Sequence, residues 1–342
     1  MDAVGKTGLC AGERTGTCER AVISAVTVPL PATPNATRDS LATVRCGSLQ
    51  AWRVAVRPRT LWVAVSPVLV GVAIGVGRDG TTGVGPSLLV LGAAILMQVT
   101  TNLQNDVGYT VRGGERCGTR TGLPRATARG WLKVWQVRSA IAVIGIASLA
   151  IGIVLTLYRG WPVLAMGAAS LLAALAYMGG PRPIAYTPFG ELTVFVFFGL
   201  VAVMGAEWVL DGHVGFLGCL SSVAIGSLAA AALAVNNHRD MAHDRLVGRR
   251  TFAVILGEGS SRRLYTALLL GPFVMLPLMA LAAGSAALLL PLMLLPVSLR
   301  LLRDFRRCAP GAAYNVILFR TFGLELRFAV LLAAAVLAMR TL

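Results

Sequence analysis

Apolar residues recur in stretches of membrane-crossing length along most of the chain. They fall at about residues 60–77, 87–105, 132–157, 161–178, 189–210, 214–236, 263–283, 285–302 and 321–340. A helix needs about 20 such residues to cross a bilayer, so the pattern predicts an all-α polytopic membrane protein of about nine transmembrane helices. Proline and glycine fall inside several stretches, which helices tolerate in a membrane when neighbours cover the freed backbone groups. The connections alternate in character. One set carries Arg57 and Arg59, then Arg112 through Lys133, Arg182, Arg239 through Arg263, and Arg300 through Arg307. The other set is short: GRDG at 77–80, YRG at 158–160, DGH at 211–213 and AGS at 283–285. Basic connections stay in the cytoplasm, which places the N-terminus inside and the C-terminus outside.

Composition agrees with this reading. Only 13% of the 342 residues are charged, and mean hydropathy is +0.73. A soluble domain carries about twice that charged fraction. The net charge of +16 raises the thought of nucleic acid. The arginines, however, sit at segment ends and in loops, as a lipid-bilayer protein requires, and nucleic acid is not expected as a partner. The six cysteines have neither metal nor disulfide spacing and read as reduced thiols. Residues 1–50 are polar without a helical stripe. They read as a disordered N-terminal extension, or as the result of a start site placed too early, ahead of a membrane domain over 51–342.

Two polar connections, 106–131 and 237–262, carry the candidate chemistry. In NNHRDMAHDRLVGRRTFAVILG (236–257), Asp240 and Asp244 lie one helical turn apart on one face, with Asn236 a turn earlier. Two carboxylates at a membrane boundary repel and are costly to desolvate. Mg²⁺ removes that cost, because it takes carboxylate and phosphate oxygens. Arg239, Arg245, Arg249 and Arg250 can hold phosphate oxygens as forks. The plain alternative, a solvated loop rich in positive charge, explains the arginines but not the paired acids. In TNLQNDVGYTVRGGERCGTRTGLPR (101–125), Asn102, Asn105, Asp106 and Tyr109 share a face, followed by Arg112, Glu115, Arg120 and Arg125. Two such sites on one membrane face imply a shared central cavity, open to the cytoplasm, that binds a metal–diphosphate.

At these residues the chain resembles the UbiA-type intramembrane prenyltransferases, and within them the menaquinone-pathway 1,4-dihydroxy-2-naphthoate polyprenyltransferases. The resemblance rests on RPRTL (57–61) with SPVLVG (66–71), NLQNDVG with VRGGE, YMGGPRPIAY (177–186) with FGELTVFVFFG (189–199), and the 236–257 segment. It implies Mg²⁺-dependent transfer of a prenyl or polyprenyl group from its diphosphate to an aromatic acceptor, through an allylic cation, at the cell (inner) membrane. Carried over by position, Asp240 and Asp244 are metal ligands, supported by Asn236 or Asn237. Asn105, Asp106 and Glu115 serve the first metal motif. Arg112, Arg120, Arg182, Arg239, Arg249 and Arg250 face the diphosphate. Tyr177 lies near the allylic carbon. Glu191, an acid in an apolar segment, is either functional or a buried helix cap.

One position departs from the family. Its first motif ends in Asp, where this chain has Tyr109, and a phenol is a poor Mg²⁺ ligand. Three readings stay open: Asn102 and Asp106 hold the metal one turn earlier, the first metal is weak and the substrate or reaction changed, or activity is lost. The intact second motif and arginine set favour the first two. Two other functions are weighed. A UbiA-type terpene cyclase would ionise the same donor without an acceptor, aided by an aromatic near the cation. A transporter would place its site near the bilayer midplane on broken helices.

Overall fold

The computed structural model describes residues 44–79, 83–115, 119–308 and 311–339. Residues 1–43 of the expected N-terminal extension, with Cys10 and Cys18, therefore lie outside the described residues, as does Cys117. Cys46, Cys219 and Cys308 are free thiols. Among the described residues the regular structure is helical throughout. Eight helices are long and apolar enough to cross a membrane, and nine if a bent pair over Leu49–Thr60 and Trp62–Val76 counts as one span.

Helix α1 (Leu49–Val56) starts where the Ser48 hydroxyl accepts the Ala51 N–H at 3.2 Å. It stops at Arg57, a non-glycine residue in the left-handed region (φ 56°) whose N–H still reaches Arg53 O. Pro58 follows and cannot continue the helix. The chain bends 43° there into α2 (Trp62–Asp79). Then come α3 (Val84–Val111), α4 (Val134–Arg159) and α5 (Trp161–Met178). α6 (Gly190–Asp211) contains a π-helical turn over Phe195–Val201. α7 (Phe216–Arg239) and the short α8 (Met241–Leu246) are followed by α9 (Phe252–Ala283), which breaks at Gly257 (φ 78°). α10 (Ala286–Arg307) and α11 (Tyr314–Ala338) complete the bundle.

The expected spans are all present, but helix runs into both expected loops and makes up most of the second. α3 continues to Val111 and α7 to Arg239, past the ends of their apolar stretches. The 237–262 connection holds α8 and the first turns of α9. Polarity marked where lipid ends, not where the helix ends. The extra turns persist because their polar side chains find partners on neighbouring connections.

Residues 46–342 form one unit, and α7 runs through its centre. Two-thirds of its most apolar window is buried, against 11–17% for α3, α4 and α5. Its small residues, including Ala229, Ala230, Ala231, Ala232 and Ala234, let other backbones approach. One such close approach is between α6 and α7. A Cβ on Gly226 would lie 2.7 Å from Phe195 O and 2.8 Å from Gly199 Cα. Gly226→Val therefore has to push α6 and its π-helical turn away, and is expected to cost about 1–3 kcal/mol of stability. Thermal unfolding of the detergent-solubilised variant measures this, and an unchanged midpoint would show that α6 yields freely.

Candidate active site

Helix ends from five parts of the chain meet on one side of the bundle. The Asn102 amide on α3 donates to Val56 O at 2.7 Å and to Thr60 Oγ1 at 2.9 Å, tying α3 to the α1–α2 bend. Arg249, between α8 and α9, donates from Nε and Nη2 to Ala185 O, between α5 and α6, at 3.1 and 2.9 Å. Arg239 at the end of α7 donates to Asn315 Oδ1 on α11 at 2.6 Å, and Asn315 Nδ2 donates to Thr121 O at 3.2 Å. At the other side, the α4 end meets the α6 end through Arg159 Nε to Val209 O at 2.7 Å.

Two cavities lie between these helices. The larger, about 310 Å³, is apolar and is lined from α2 through α7 and by Phe322 of α11. Its wall follows α5 from Val163 to Tyr177, a length of about 21 Å at 1.5 Å per residue. The π-helical turn contributes Phe197 and Phe198 to it; such turns often mark functional sites. The smaller cavity, about 100 Å³, lies at the helix ends and is lined by Arg57, Tyr109, Arg120, Arg125, Arg239, Asp240 and Arg249, among others. Arg57, Thr60, Asn105, Tyr177, Asn236 and Phe322 line both. A charged chamber thus opens onto an apolar channel.

The second motif is assembled as a buried ion network. Arg239 forks Asp240, Nε to Oδ1 at 2.8 Å and Nη2 to Oδ2 at 2.7 Å. Arg249 Nη1 donates to Asp244 Oδ1 at 2.6 Å and also to the Tyr109 hydroxyl. The two acids are electrostatically unequal. Burial raises Asp240, but the Arg239 bond and charge, with Arg120 and Arg249 behind it, outweigh this and hold its carboxyl below its ordinary value. Burial raises Asp244, and the charge of Asp240 adds to that against the pull of Arg249. Asp244 Oδ2 is buried without a hydrogen-bond partner.

The first motif is built differently from the expectation. Asp106 is fully buried. Its Oδ2 accepts Ala126 N–H at 2.8 Å, and its Oδ1 accepts the Thr127 N–H at 2.8 Å and hydroxyl at 2.6 Å. It closes the 126–127 turn and lines neither cavity. Asn102 points to the α1–α2 bend, so the two side chains of the supposed Asn102–Asp106 pair are held apart on different partners. Glu115 accepts Arg120 Nη1 at 2.9 Å and also lies off both cavity walls. Tyr109 does face the chamber. Its ring has the guanidinium carbons of Arg125, Arg120 and Arg249 at 4.4, 5.2 and 5.3 Å. Gly114 makes room for it, since a Cβ there would lie 2.7 Å from Tyr109 Cδ1.

The other expected residues divide. Asn105, Tyr177 and Asn236 line both cavities, and Arg120, Arg239, Asp240 and Arg249 line the polar one. Arg112 is directed at Met178 O and Gly180 O, capping the end of α5, with Tyr186 beneath it at 5.5 Å. Arg182 and Arg250 are exposed and line neither cavity. Glu191 accepts the Asn237 amide at 2.9 Å and so orients a chamber residue from behind. His238 donates to or accepts from Ser261 at 3.1 Å between the Phe305 and Tyr314 rings, a packing role. Arg57 and Asn315 were not expected at the site, and Arg125 stood only among the basic residues of the first polar connection. Neither RPRTL, nor the arginine after LP, nor Tyr314–Asn315 has a spacing that specifies chemistry.

Among the described residues no three His, Cys, Asp or Glu side chains converge as a metal cage. Mg²⁺ needs less, since it commonly takes one or two carboxylates and completes its shell with substrate phosphate and water. Asp240 and Asn236 line the chamber, and Asp244, which lies on neither cavity wall, keeps Oδ2 without a hydrogen-bond partner; together these residues fit one such ion. Each Asp240 oxygen that accepts from Arg239 keeps a second lone pair. The first motif does not fit a metal, because its one buried carboxylate is filled by the 126–127 turn and its last position is a phenol.

Residues 64–323 match the UbiA prenyltransferase family. The chain is 35% identical over 236 residues to a 1,4-dihydroxy-2-naphthoate octaprenyltransferase of Escherichia coli (strain K12), covering 67% of this chain and 76% of that one. It is 32% identical over 268 residues to the protein of the same name from Mycobacterium leprae (strain TN), covering 76% and 86%. In fold it is similar to a UbiA homolog from Archaeoglobus fulgidus bound to DMAPP and Mg²⁺, with TM-score 0.63 and 16% identity over 85% of this chain and 99% of that one. It is also similar to a UbiA homolog from Aeropyrum pernix K1, with TM-score 0.62 and 16% identity over 82% and 97%.

Proposed function

The chain belongs to the UbiA prenyltransferase family, and from that premise we propose that it transfers a polyprenyl group from its diphosphate to 1,4-dihydroxy-2-naphthoate or a closely related aromatic. The observation that carries this reading is the continuity of the polar chamber with the apolar channel. An amphiphile with a dianionic or trianionic head and a long hydrocarbon tail matches both compartments.

The head lies among Arg57, Arg120, Arg125 and Arg239, whose forks suit phosphate oxygens. Bound at Asp240 and Asp244, a Mg²⁺ ion supplies charge neutralisation for the leaving diphosphate. Arg239 keeps Asp240 ionised and oriented, and Arg249 orients Asp244 through one of its oxygens. Tyr177, at the junction of the cavities, stands where the allylic carbon passes from tail to head, and its ring face can steady the developing cation. Apolar walls beyond it exclude water, so that the acceptor ring takes the cation in preference to solvent.

The names of the relatives support transfer over cyclisation. The helix-end position of the chamber weighs against a midplane transport site. Basic connections share the chamber's side of the bundle, which supports a cytoplasmic opening with the N-terminus inside. The test is a product assay. Membranes containing the chain are supplied with Mg²⁺ and labelled polyprenyl diphosphate, with and without dihydroxynaphthoate. Acceptor-dependent organic-soluble product is expected. Hydrocarbon or alcohol formed equally well without acceptor would move the assignment to a cyclase.

A further inference from the structure

The chamber holds more positive charge than its protein partners use. Arg57 Nε and Nη2, Arg120 Nε, and Arg125 Nε and Nη1 are buried without a hydrogen-bond partner, although all three residues line the chamber. Arg120 and Arg125 are about 5% exposed. Asp240 Oδ2 lies 3.9 Å from Arg120 Nε, beyond hydrogen-bond reach. Buried cationic donors left unmet are costly, so such an arrangement calls for a ligand with several anionic oxygens.

Tyr109 brings two of these like charges together: its ring face lies under Arg120 and Arg125. An aromatic face attracts guanidinium groups without filling their donors, whereas a carboxylate at 109 would pair with them. The first motif has no carboxylate free for a metal: Asp106 is filled by the 126–127 turn, and Glu115 is paired with Arg120 outside the chamber.

We propose that this protein binds the diphosphate with a single divalent metal, at Asp240 and Asp244, and that the chamber arginines Arg57, Arg120 and Arg125, the last two stacked on Tyr109, take the place of a second one. The inference rests on the diphosphate-donor reading given above. Charge is conserved in kind: guanidinium groups replace the part of the neutralisation that a second ion would give, and they do so as fixed N–H donors needing no ligands of their own.

The test counts ions and needs no turnover. The purified full chain in detergent is dialysed to equilibrium against Mn²⁺ and radiolabelled inorganic pyrophosphate, and both are counted per chain. One Mn²⁺ per pyrophosphate bound is expected. Arg125→Met is expected to weaken pyrophosphate about tenfold or more, about 1.4 kcal/mol, with the count still at one, and Arg125→Lys to recover part of the loss. Should Arg125→Met fail to fold, Arg120→Met reads the same quantity. Two Mn²⁺ per chain, or pyrophosphate affinity within twofold of wild type in both Met variants, overturns the single-metal inference while leaving the donor reading intact. No pyrophosphate bound at any Mn²⁺ concentration removes the donor reading and this inference with it.

Discussion

Asp240→Ala is expected to lower prenyl transfer by about a hundredfold to a thousandfold, the range seen when one preorganised stabiliser of transition-state charge is removed. The loss should fall on kcat. Asp240 forks onto Arg239, so removing the carboxylate leaves that guanidinium facing the chamber with Asn315 as its remaining side-chain partner. A freed fork holds phosphate well. The variant should thus keep its grip on the donor while failing to ionise it, and KM for the polyprenyl diphosphate should stay near or below the wild-type value. Steady-state kinetics on membranes normalised for protein separates the two parameters. A raised KM with unchanged kcat would remove Asp240 from the metal site and make it an ordinary binding group.

Arg249→Ala is expected to cost about 3–5 kcal/mol of stability, the usual result of breaking a buried ion pair from one side. Arg249 is 5% exposed and joins three connections: it bonds Asp244, the Tyr109 hydroxyl and Ala185 O. Without it, Asp244 is a buried carboxylate with neither oxygen paired to a side chain, and Tyr109 loses one of the cations on its face. Arg249→Lys should recover little, because an ammonium cannot reach a carboxylate and a carbonyl with the geometry of a planar fork. Thermal unfolding in detergent measures both variants. A Lys variant as stable as wild type would mean that charge alone, not the fork, holds the three connections.

The first acidic motif separates what could be read along the chain from what could not. Asn102, Asn105, Asp106 and Tyr109 were rightly grouped on the polar end of one helix, and α3 does carry them all. Helical spacing says which residues share a face, not what stands opposite each. Asp106 meets the backbone of residues 126 and 127, 20 residues downstream, and that encounter turns a supposed ligand into a turn closure. Arg57 and Arg125 show the converse. Alone, each is one more basic residue beside a membrane, and only the meeting of the α1–α2 bend with the 119–127 segment puts them in one chamber.

The spans, the side on which the basic connections gather and the Asp240–Asp244 pair follow from the sequence alone. Bilayer thickness sets helix length, and the 3.6-residue period puts residues four apart on one face. Those are local rules and need no neighbours. Only the tertiary structure could decide which acids remain free, which arginines lack partners and that Tyr109 gathers cations. A buried polar group is defined by the partner it finds, and here several partners stand on other segments: the 126–127 turn for Asp106, the α1–α2 bend for Asn102 and α11 for Arg239.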